Sequence, residues 1–279
     1  MREFLIDLFE TRQEPFDVTL YSIWHILYAA IIFAAIIGVA VYLRRKDITV
    51  KNRVLNFIAY AIAVVYIADF FIQPLFRNGA MNVDKLPFHI CTLLCPIIAF
   101  TQFNKHFACI KEPVAFLSVI SPLMYIVYPG SALGTESPFC YEIIQTFVYH
   151  GLLLAYGVLL ITTGTVIPNI KNCYKSLIGI GITMIWAAFG NVVYSEEGWG
   201  KGFDWFFITG KTFPFIPPIL MPLVVAACTF GMVIVIYGLY YLIDYIIKRQ
   251  NAKVHISEQR QRCPRSKSSE GFSLCLDIF

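Results

Sequence analysis

Charged side chains are scarce in this chain. Of its 279 residues only 14% are Asp, Glu, Lys or Arg, whereas 58% are hydrophobic and the mean hydropathy is +0.66. Soluble domains carry about 25% charged residues, so this composition excludes a sizeable soluble domain. A cleavable signal peptide is also missing, because residues 1–17 are acidic and polar rather than basic and then apolar. We therefore predict a multi-pass membrane protein whose first helix inserts by itself.

Three further absences narrow the function. The eight cysteines show no convincing metal spacing, since Cys91 and Cys95 lack a second pair and lie in an apolar stretch. The last apolar stretch, 218–247, contains no lysine that could form a Schiff base with retinal. The two halves of the chain show neither a clear repeat nor paired helices broken by Gly and Pro, which counts against a secondary transporter. No metal and no cofactor are expected.

Long apolar stretches are abundant. A bilayer core of roughly 30 Å needs about 20 apolar residues of helix, which most of the stretches supply, although the third and fourth are shorter. The predicted fold is all-α, a polytopic bundle of seven transmembrane helices at 18–247. It lies between an extracytoplasmic segment at 1–17 and a basic cytosolic tail at 248–279 that is expected to be disordered. The seven stretches are 18–43, 54–76, 86–103, 112–128, 139–164, 175–194 and 218–247.

The distribution of basic residues predicts the orientation. One set of connections together with the tail contains 16 Lys and Arg residues, and the opposite set contains 6. The positive-inside rule then places the N-terminus outside and the C-terminus in the cytosol, with the cell membrane as the expected location. The net charge of +4 reports this topology and an attraction to anionic lipid, so no nucleic-acid partner is expected.

Polar residues interrupt five of the stretches at similar depth, near the outer face. Spacings of three and four residues place them on single helix faces, and ionisable groups at this depth usually face a bundle interior or a wet cavity. We therefore predict one polar pocket that opens outward. Its candidates are Tyr21, His25 and Tyr28, then Tyr66, Asp69 and Gln73, then His89 and Cys91, then Glu142, Gln145, Tyr149 and His150, and finally Asn191, Tyr194 and Ser195.

Helix geometry separates some of these candidates. At roughly 100° per residue, His89 and Cys91 diverge by about 200°, so they cannot both face one cavity if this turn is regular helix. His150 is displaced by about 100° from its neighbour Tyr149 on the polar stripe. We predict catalytic roles for His150, His89, Asp69 and Cys91, and substrate contacts for His25, Gln145, Asn191 and Glu142.

Most candidates also have an ordinary structural interpretation. His25 beside Trp24 suits a membrane interface, where amphipathic rings are common. A mid-span Asp69 must be paired, protonated or functional, because an uncompensated carboxylate would cost several kcal/mol. His89 and His150 could hydrogen-bond to each other or to a backbone carbonyl.

Residues nearer the membrane surfaces have similar alternatives. Glu142 could be solvated, and Asn191 could hold helices together through hydrogen bonds. Glu112, beside Pro113, is expected to be an exposed helix start. The aromatic connection 195–217 could anchor at the interface or cover the outer cavity.

Four short segments carry a resemblance to a known family. They are Leu86-Pro87-Phe88-His89-Ile90-Cys91, Tyr149-His150-Gly151, Gly190-Asn191 and Thr212-Phe213-Pro214-Phe215. With these segments the chain resembles the YwaF-type bacterial integral membrane proteins, which are related to the eukaryotic transmembrane-164 acyltransferase. The resemblance covers residues 19–247 and implies a seven-helix fold and, through the eukaryotic relative, acyl transfer between phospholipids. The tryptophan-rich segment that follows helix 6 in the family is rich in phenylalanine here.

Three functions are compatible with the polar pocket. In an acyltransferase or lipid hydrolase, His150 or His89 would be the base, Asp69 would orient it, and Cys91, Thr92 or a lysolipid hydroxyl would be the nucleophile. Gln145 and Asn191 would donate to the oxyanion. Alternatively the pocket binds or transports a small ligand. A third possibility is haem or quinone binding between His89 and His150.

Overall fold

The computed structural model describes residues 20–76, 83–128, 138–194, 204–209 and 216–262, and these contain helices and no strand. The predicted segment 1–17 and most of the predicted tail lie outside this range. The α-helices are α1 (Ile23–Leu43), α2 (Ile48–Phe76), α3 (Ile90–Phe103), α4 (Lys111–Val127), α5 (Tyr141–Thr162), α6 (Cys173–Val193) and α7 (Met221–Arg262). Short 3-10 helices cover Val83–Lys85, Lys105–Ile110, Ile170–Asn172, Trp205–Phe207 and Pro218–Leu220.

Six helical segments in the described part of the chain are long and apolar enough to cross a membrane, with α4 counted together with the 3-10 helix Lys105–Ile110 that precedes it. The exception is α3, whose 14 residues reach only about 21 Å. Side chains such as Phe71 and Ile185 are 72% and 75% exposed, which suits lipid and not water. A multi-pass helical membrane protein is therefore confirmed, while the count of seven spans and the orientation remain predictions.

Helix α5 is the core of the bundle and packs against α1, α2 and α4. Its closest partner is α4, because Gly157 lets the two backbones approach. A Cβ at Gly157 would lie 2.6 Å from the Ala115 carbonyl oxygen, which no side chain could tolerate. Helix α4 in turn packs against α3 and α6. The helices that carry most of the predicted site are therefore neighbours.

Helix α2 begins earlier than the apolar pattern predicts, at Ile48 and not at residue 54. Asp47 caps it, since Asp47 Oδ1 accepts a hydrogen bond of 2.9 Å from the Val50 N–H. This bond lowers the pKa of Asp47 below its usual value. Hydropathy misses the first turn because Lys51 and Arg53 are polar, and Lys51 Nζ donates to the Thr163 carbonyl at 3.1 Å.

Glu112 is not the exposed helix start that the sequence predicts. Its Oε1 accepts hydrogen bonds from the Asn169 N–H at 2.7 Å and from the Tyr237 hydroxyl at 2.9 Å. Its Oε2 accepts from Asn172 Nδ2 at 2.6 Å. The prediction is wrong because three donors from distant parts of the chain converge on one carboxylate, which helix-end patterns cannot reveal.

The chain divides into two compact units, residues 1–237 and 238–279. Every candidate site residue belongs to the first unit. In the second unit Lys248 Nζ and Asp244 Oδ2 form an ion pair of 2.8 Å along α7.

Candidate functional site

A buried ion pair joins α2, α5 and the 3-10 helix that precedes α3. Lys85 Nζ lies 3.1 Å from Asp69 Oδ2 and donates to Gln145 Oε1 at 3.0 Å. The Tyr66 hydroxyl donates to the Lys85 carbonyl at 2.8 Å, which fixes the backbone of Lys85. Two of the polar stripes predicted from sequence therefore converge on a lysine that the sequence places in a connecting loop.

The polar groups around this ion pair are incompletely hydrogen-bonded. Asp69 is only 1% exposed and Gln73 only 2%. Among the described residues, Gln73 Nε2 has no acceptor and neither Asp69 oxygen accepts a well-directed hydrogen bond, although the Tyr141 hydroxyl lies within hydrogen-bonding reach of the Asp69 carboxylate. Lys85 and Tyr141 therefore both interact with Asp69. Buried polar groups left in this state cost about 1–3 kcal/mol each, so the arrangement favours a polar ligand.

Cys91 in the first turn of α3 faces α4. Its Sγ lies 2.7 Å from Ser121 Oγ, and either atom could be the donor. The Cys91 carbonyl accepts a hydrogen bond of 2.9 Å from the Tyr149 hydroxyl on α5. The Cys91 thiol therefore lies beside the Ser121 hydroxyl of α4, and Tyr149 of α5 holds the Cys91 backbone.

His150 has a fixed tautomer. Its Nδ1 lies 2.8 Å from the Thr146 carbonyl oxygen, which can only accept, so Nδ1 carries the proton. The ring is buried and stacks on Tyr125 of α4, with centroids 3.8 Å apart and planes inclined by 7°. Nε2 has no hydrogen-bond partner among the residues that the structure describes, so its lone pair can accept a proton.

The imidazole of His150 is linked to α4, the helix that carries Ser121, through its stacking on Tyr125. Ser121 and Tyr125 are four residues apart on α4, so their Cβ atoms are about 6 Å apart on one face. His150 is therefore one stacked ring and one helical turn away from Ser121. It also lies within electrostatic range of Lys85 and His89.

His89 is the N-cap of α3 and has extended backbone angles, φ −81° and ψ 152°. The angle of about 200° expected between His89 and Cys91 assumes a regular helix and does not apply, because His89 precedes the helix. The two side chains nevertheless contact different elements, since His89 bonds to Phe206 and Cys91 contacts Ser121 on α4. His89 Nδ1 accepts a hydrogen bond of 3.3 Å from the Phe206 N–H, so in the neutral ring Nε2 carries the proton. His89 is therefore a donor at Nε2, whereas His150 is an acceptor there.

Phe206 and Phe207, which follow Trp205, have left-handed backbone angles with φ of +62° and +55°. Such values are strained for bulky residues and require tight restraint by the surroundings. Asn191 provides part of this restraint, because its Oδ1 accepts from the Trp205 N–H at 2.9 Å and its Nδ2 donates to the Trp205 carbonyl at 3.1 Å. The Trp205 side chain is fully buried within the protein.

Both polar atoms of the Asn191 amide thus bond to the Trp205 backbone, and a substrate contact of Asn191 stays a prediction. The neighbouring Gly190 gives room for the Phe88 ring, because a Cβ there would lie 2.5 Å from that ring. Tyr194 also packs edge-on against Trp205. Ser195 and the aromatic residues Trp199, Phe203, Phe213 and Phe215 lie outside the described residues.

His25 lies apart from this cluster, at the junction of α1 and α4. Its Nδ1 accepts from the Tyr21 N–H at 3.0 Å and its Nε2 donates to the Ile126 carbonyl at 2.8 Å. Both ring nitrogens are therefore occupied by the backbone, which leaves none for a substrate. Tyr21 precedes α1 with φ +60°, so the predicted stripe of Tyr21, His25 and Tyr28 is not a continuous helix face. The Tyr28 hydroxyl donates to the Pro138 carbonyl at 2.6 Å.

The remaining candidates occupy α3 and α5. Glu142 is half-buried in the first turn of α5, where a negative charge is favourable near the helix N-terminus. The Thr92 hydroxyl donates to the Leu86 and His89 carbonyls, each at 3.0 Å, which suits a helix-start residue rather than a nucleophile. No group of three His, Cys, Asp or Glu residues within the described ranges could hold a metal ion.

Sequence reasoning misses three residues of the cluster, namely Lys85, Ser121 and Tyr125. Lys85 follows no helix period because it lies in a short 3-10 helix, although a mid-span Asp69 required some cation. Ser121 and Tyr125 are spaced four apart in an otherwise apolar stretch, which was a signal for a polar face on α4.

Comparison with known proteins gives one result. The model of the TMEM164 family matches residues 20–242, which is most of the chain and all seven α-helices in whole or in part. No curated protein and no solved structure matches.

Proposed function

Since the chain belongs to the TMEM164 family over residues 20–242, we propose that it modifies membrane lipids by transferring a fatty acyl chain between phospholipids, with Cys91 as nucleophile and His150 as base. The YwaF-type resemblance implies the same reaction through its eukaryotic relative. The observation that carries the proposal is the 2.7 Å contact between Cys91 Sγ and Ser121 Oγ, on the same helix whose Tyr125 stacks on an imidazole with a free Nε2 lone pair. The cell membrane is the proposed location.

In the first half-reaction Cys91 attacks the ester carbonyl carbon of the donor phospholipid. The thiol proton passes to His150 Nε2, directly or through the Ser121 hydroxyl, and the C–S bond forms. The ester C–O bond then breaks, and the departing lysophospholipid oxygen takes the proton from His150. Cys91 is left as an acyl thioester.

In the second half-reaction the acceptor lysophospholipid gives its hydroxyl proton to His150. Its oxygen attacks the thioester carbonyl, the C–S bond breaks and the Cys91 sulfur takes back the proton. No oxidant or reductant is needed. Water in place of the acceptor would release a fatty acid, which is the hydrolase alternative.

Two side chains are suited to stabilise the oxyanion. Gln145 Oε1 accepts from Lys85 Nζ, which orients the amide so that Nε2 can donate elsewhere. His89 Nε2–H is a second donor, since Nδ1 is held by Phe206. Each well-placed donor of this kind contributes about 10²–10³-fold to the rate of acyl transfer. Asp69 acts here by positioning Lys85, and the Thr146 carbonyl, rather than Asp69, orients His150.

A second candidate function is binding or transport of a polar ligand. The observation that favours it is the buried pair of Asp69 and Lys85 with an unpartnered amide at Gln73, since such groups at membrane depth often mark ligand or proton pathways. Haem binding between His89 and His150 is less compatible with the geometry. His89 Nδ1 accepts a backbone hydrogen bond, so its Nε2 carries a proton and has no lone pair for iron.

The test measures acyl exchange in nanodiscs. Protein in phosphatidylcholine nanodiscs receives an isotope-labelled acyl donor and a lysophospholipid, and mass spectrometry follows both the labelled product lipid and the intact protein. We expect exchange and a hydroxylamine-sensitive acyl adduct on Cys91.

The matched control uses Cys95, which is buried one turn further along α3. Cys91→Ala should abolish both exchange and adduct, whereas Cys95→Ala should retain both within about twofold, because only Cys91 contacts Ser121. An adduct that persists in folded Cys91→Ala would remove Cys91 as nucleophile. Absence of exchange in folded wild-type protein would move the assignment to ligand binding.

A further inference from the structure

A second polar cavity lies at the opposite end of α4 from Ser121 and Tyr125. It has a volume of about 430 Å³ and is open to the surface. Ser121 is ten residues from Lys111 at the start of α4, which corresponds to roughly 15 Å along the axis, so this cavity is separate from the thiol site. The polar residues that line it are Lys111, Glu112, Thr165, Asn172 and Lys175.

Two lysines and one glutamate line this cavity, so its net charge is positive. Lys111 and Lys175 are both half-buried, and neither takes part in an ion pair with any residue that the structure describes. The single carboxylate, Glu112, accepts hydrogen bonds from Asn169, Asn172 and Tyr237, so both of its oxygens are already occupied. Glu112 is therefore held in place and leaves the two ammonium groups available to a ligand.

The backbone adds to this positive potential. Helices α4 and α6, of 17 and 21 residues, begin at Lys111 and Cys173, beside the cavity. Helix N-termini carry a partial positive charge that favours anions, although here the Lys111 and Cys173 N–H groups already donate to the Ala108 and Ile170 carbonyls. Asn172 and Thr165 supply neutral polar groups in the same wall. Basic pockets between helices at a membrane surface are typical sites for phosphate-bearing headgroups.

We propose that this cavity binds a phosphate group through Lys111 and Lys175. The shared chemistry is a terminal phosphate group, which could come from the headgroup of an anionic lipid such as phosphatidic acid or from soluble inorganic phosphate. The cavity is far larger than a phosphate ion and opens beside membrane-spanning helices, which suits a lipid headgroup. This site is independent of the proposed acyl transfer.

The experiment is a binding titration by native mass spectrometry on protein in phosphatidylcholine nanodiscs. One arm adds phosphatidic acid to the nanodiscs, and a second adds inorganic phosphate to the buffer. The Lys111→Gln/Lys175→Gln variant is compared with Lys105→Gln/Lys171→Gln, whose lysines are exposed and do not line the cavity. The two variants lose the same charge from neighbouring segments.

We expect phosphatidic acid to bind the wild type and to bind the cavity variant about tenfold more weakly, while the control variant stays within about twofold. Binding of inorganic phosphate with the same dependence would support the site and identify a soluble ligand. If the glutamine variant fails to fold, Lys111→Arg/Lys175→Arg should fold and bind as the wild type does. Equal losses in the cavity and control variants, or no binding of either probe to folded wild type, would overturn the proposal.

Discussion

The two ends of the bundle hold their carboxylates in different ways. At one end Asp69 is almost fully buried, its nearest cation is Lys85 at 3.1 Å, and the Tyr141 hydroxyl approaches the carboxylate without a well-directed hydrogen bond to either oxygen. At the other end Glu112 accepts three hydrogen bonds of 2.6 to 2.9 Å from donors far apart in the sequence. A saturated carboxylate fixes structure, whereas an incompletely bonded one remains free to act on neighbouring groups or a ligand.

The same contrast separates the two buried histidines. His25 uses both ring nitrogens in backbone hydrogen bonds, so it links α1 to the end of α4. His150 uses one nitrogen for the Thr146 carbonyl, while the other has no hydrogen-bond partner among the described residues and the ring stacks on Tyr125. On this contrast we propose a structural role for His25 and the role of base for His150.

The largest expected effect is the difference in acyl exchange between His150→Ala and His25→Ala. His150→Ala should reduce acyl exchange by about 10²–10⁴-fold, because it removes the general base, and should leave expression near that of the wild type. His25→Ala should retain exchange per folded molecule and lower thermal stability. Exchange rates and melting curves of the two variants in the same nanodiscs test the contrast. Similar exchange in both would mean that His150 is structural too.

The matched carboxylate variants should differ mainly in stability. Glu112→Gln places an amide NH2 against the NH2 of Asn172, which we expect to cost about 2–3 kcal/mol and to lower Tm by about 6 °C. In Asp69→Asn, Lys85 keeps Gln145, so Tm should change by less than about 3 °C while exchange falls at least about tenfold.

Thermal unfolding of both carboxylate variants in detergent, with exchange measured in nanodiscs, provides the readout. A larger loss of stability in Asp69→Asn than in Glu112→Gln would reverse the assignment of the two ends.

A smaller effect should follow from Asn191→Leu. The change removes two hydrogen bonds to Trp205 and leaves a buried backbone donor and acceptor unpaired, so we expect a loss of about 2 kcal/mol. Because Phe206 and its bond to His89 depend on this segment, exchange should also decrease. Tm and exchange of Asn191→Leu are compared with those of Asn56→Leu, which loses one side-chain bond to Gln102. Full exchange in Asn191→Leu would show that the Trp205 segment does not support the site.

The smallest effect concerns the surface carboxylate of Asp47. Its pKa is lowered in the folded state by the Val50 N–H, so the charged form stabilises the protein above the unfolded pKa. This stability is lost as the pH falls through the folded pKa. Asp47→Asn keeps a capping oxygen and should show a flatter dependence of Tm on pH in the acidic range. An unchanged pH dependence in the variant would exclude a contribution from this cap.

The sequence predicts much of the helical framework, for a simple reason. Apolar stretches of about 20 residues form helices in a bilayer because every backbone polar group must be bonded internally. Six of the predicted stretches are confirmed as helices of spanning length. The start of α2 was misplaced because the capping bond of Asp47, rather than hydropathy, sets it. Helix α3 is shorter than its apolar stretch because residues 86–89 do not join the helix.

The candidate site was predicted only in part. Periodicity correctly placed Tyr66 and Asp69 on one face of α2, and Gln145 and Tyr149 on one face of α5. Periodicity could not identify Lys85, because this residue lies in a 3-10 helix between two spans that is too short to show a periodic polar face. Nor could periodicity separate His25 from His150, because the two histidines differ in their hydrogen-bond partners. His25 bonds to Ile126, 101 residues away, whereas His150 bonds to Thr146, four residues away.

The sequence by itself determined that this chain is a helical membrane protein with polar groups inside its spans, because the bilayer imposes length and hydropathy on each helix separately. Only the tertiary structure decided which of these groups are satisfied. It brought Lys85 to Asp69, Ser121 to Cys91 and three donors to Glu112. The physical reason is that hydrogen bonding inside a bundle depends on contacts between helices, and a one-dimensional pattern records only which face each residue occupies.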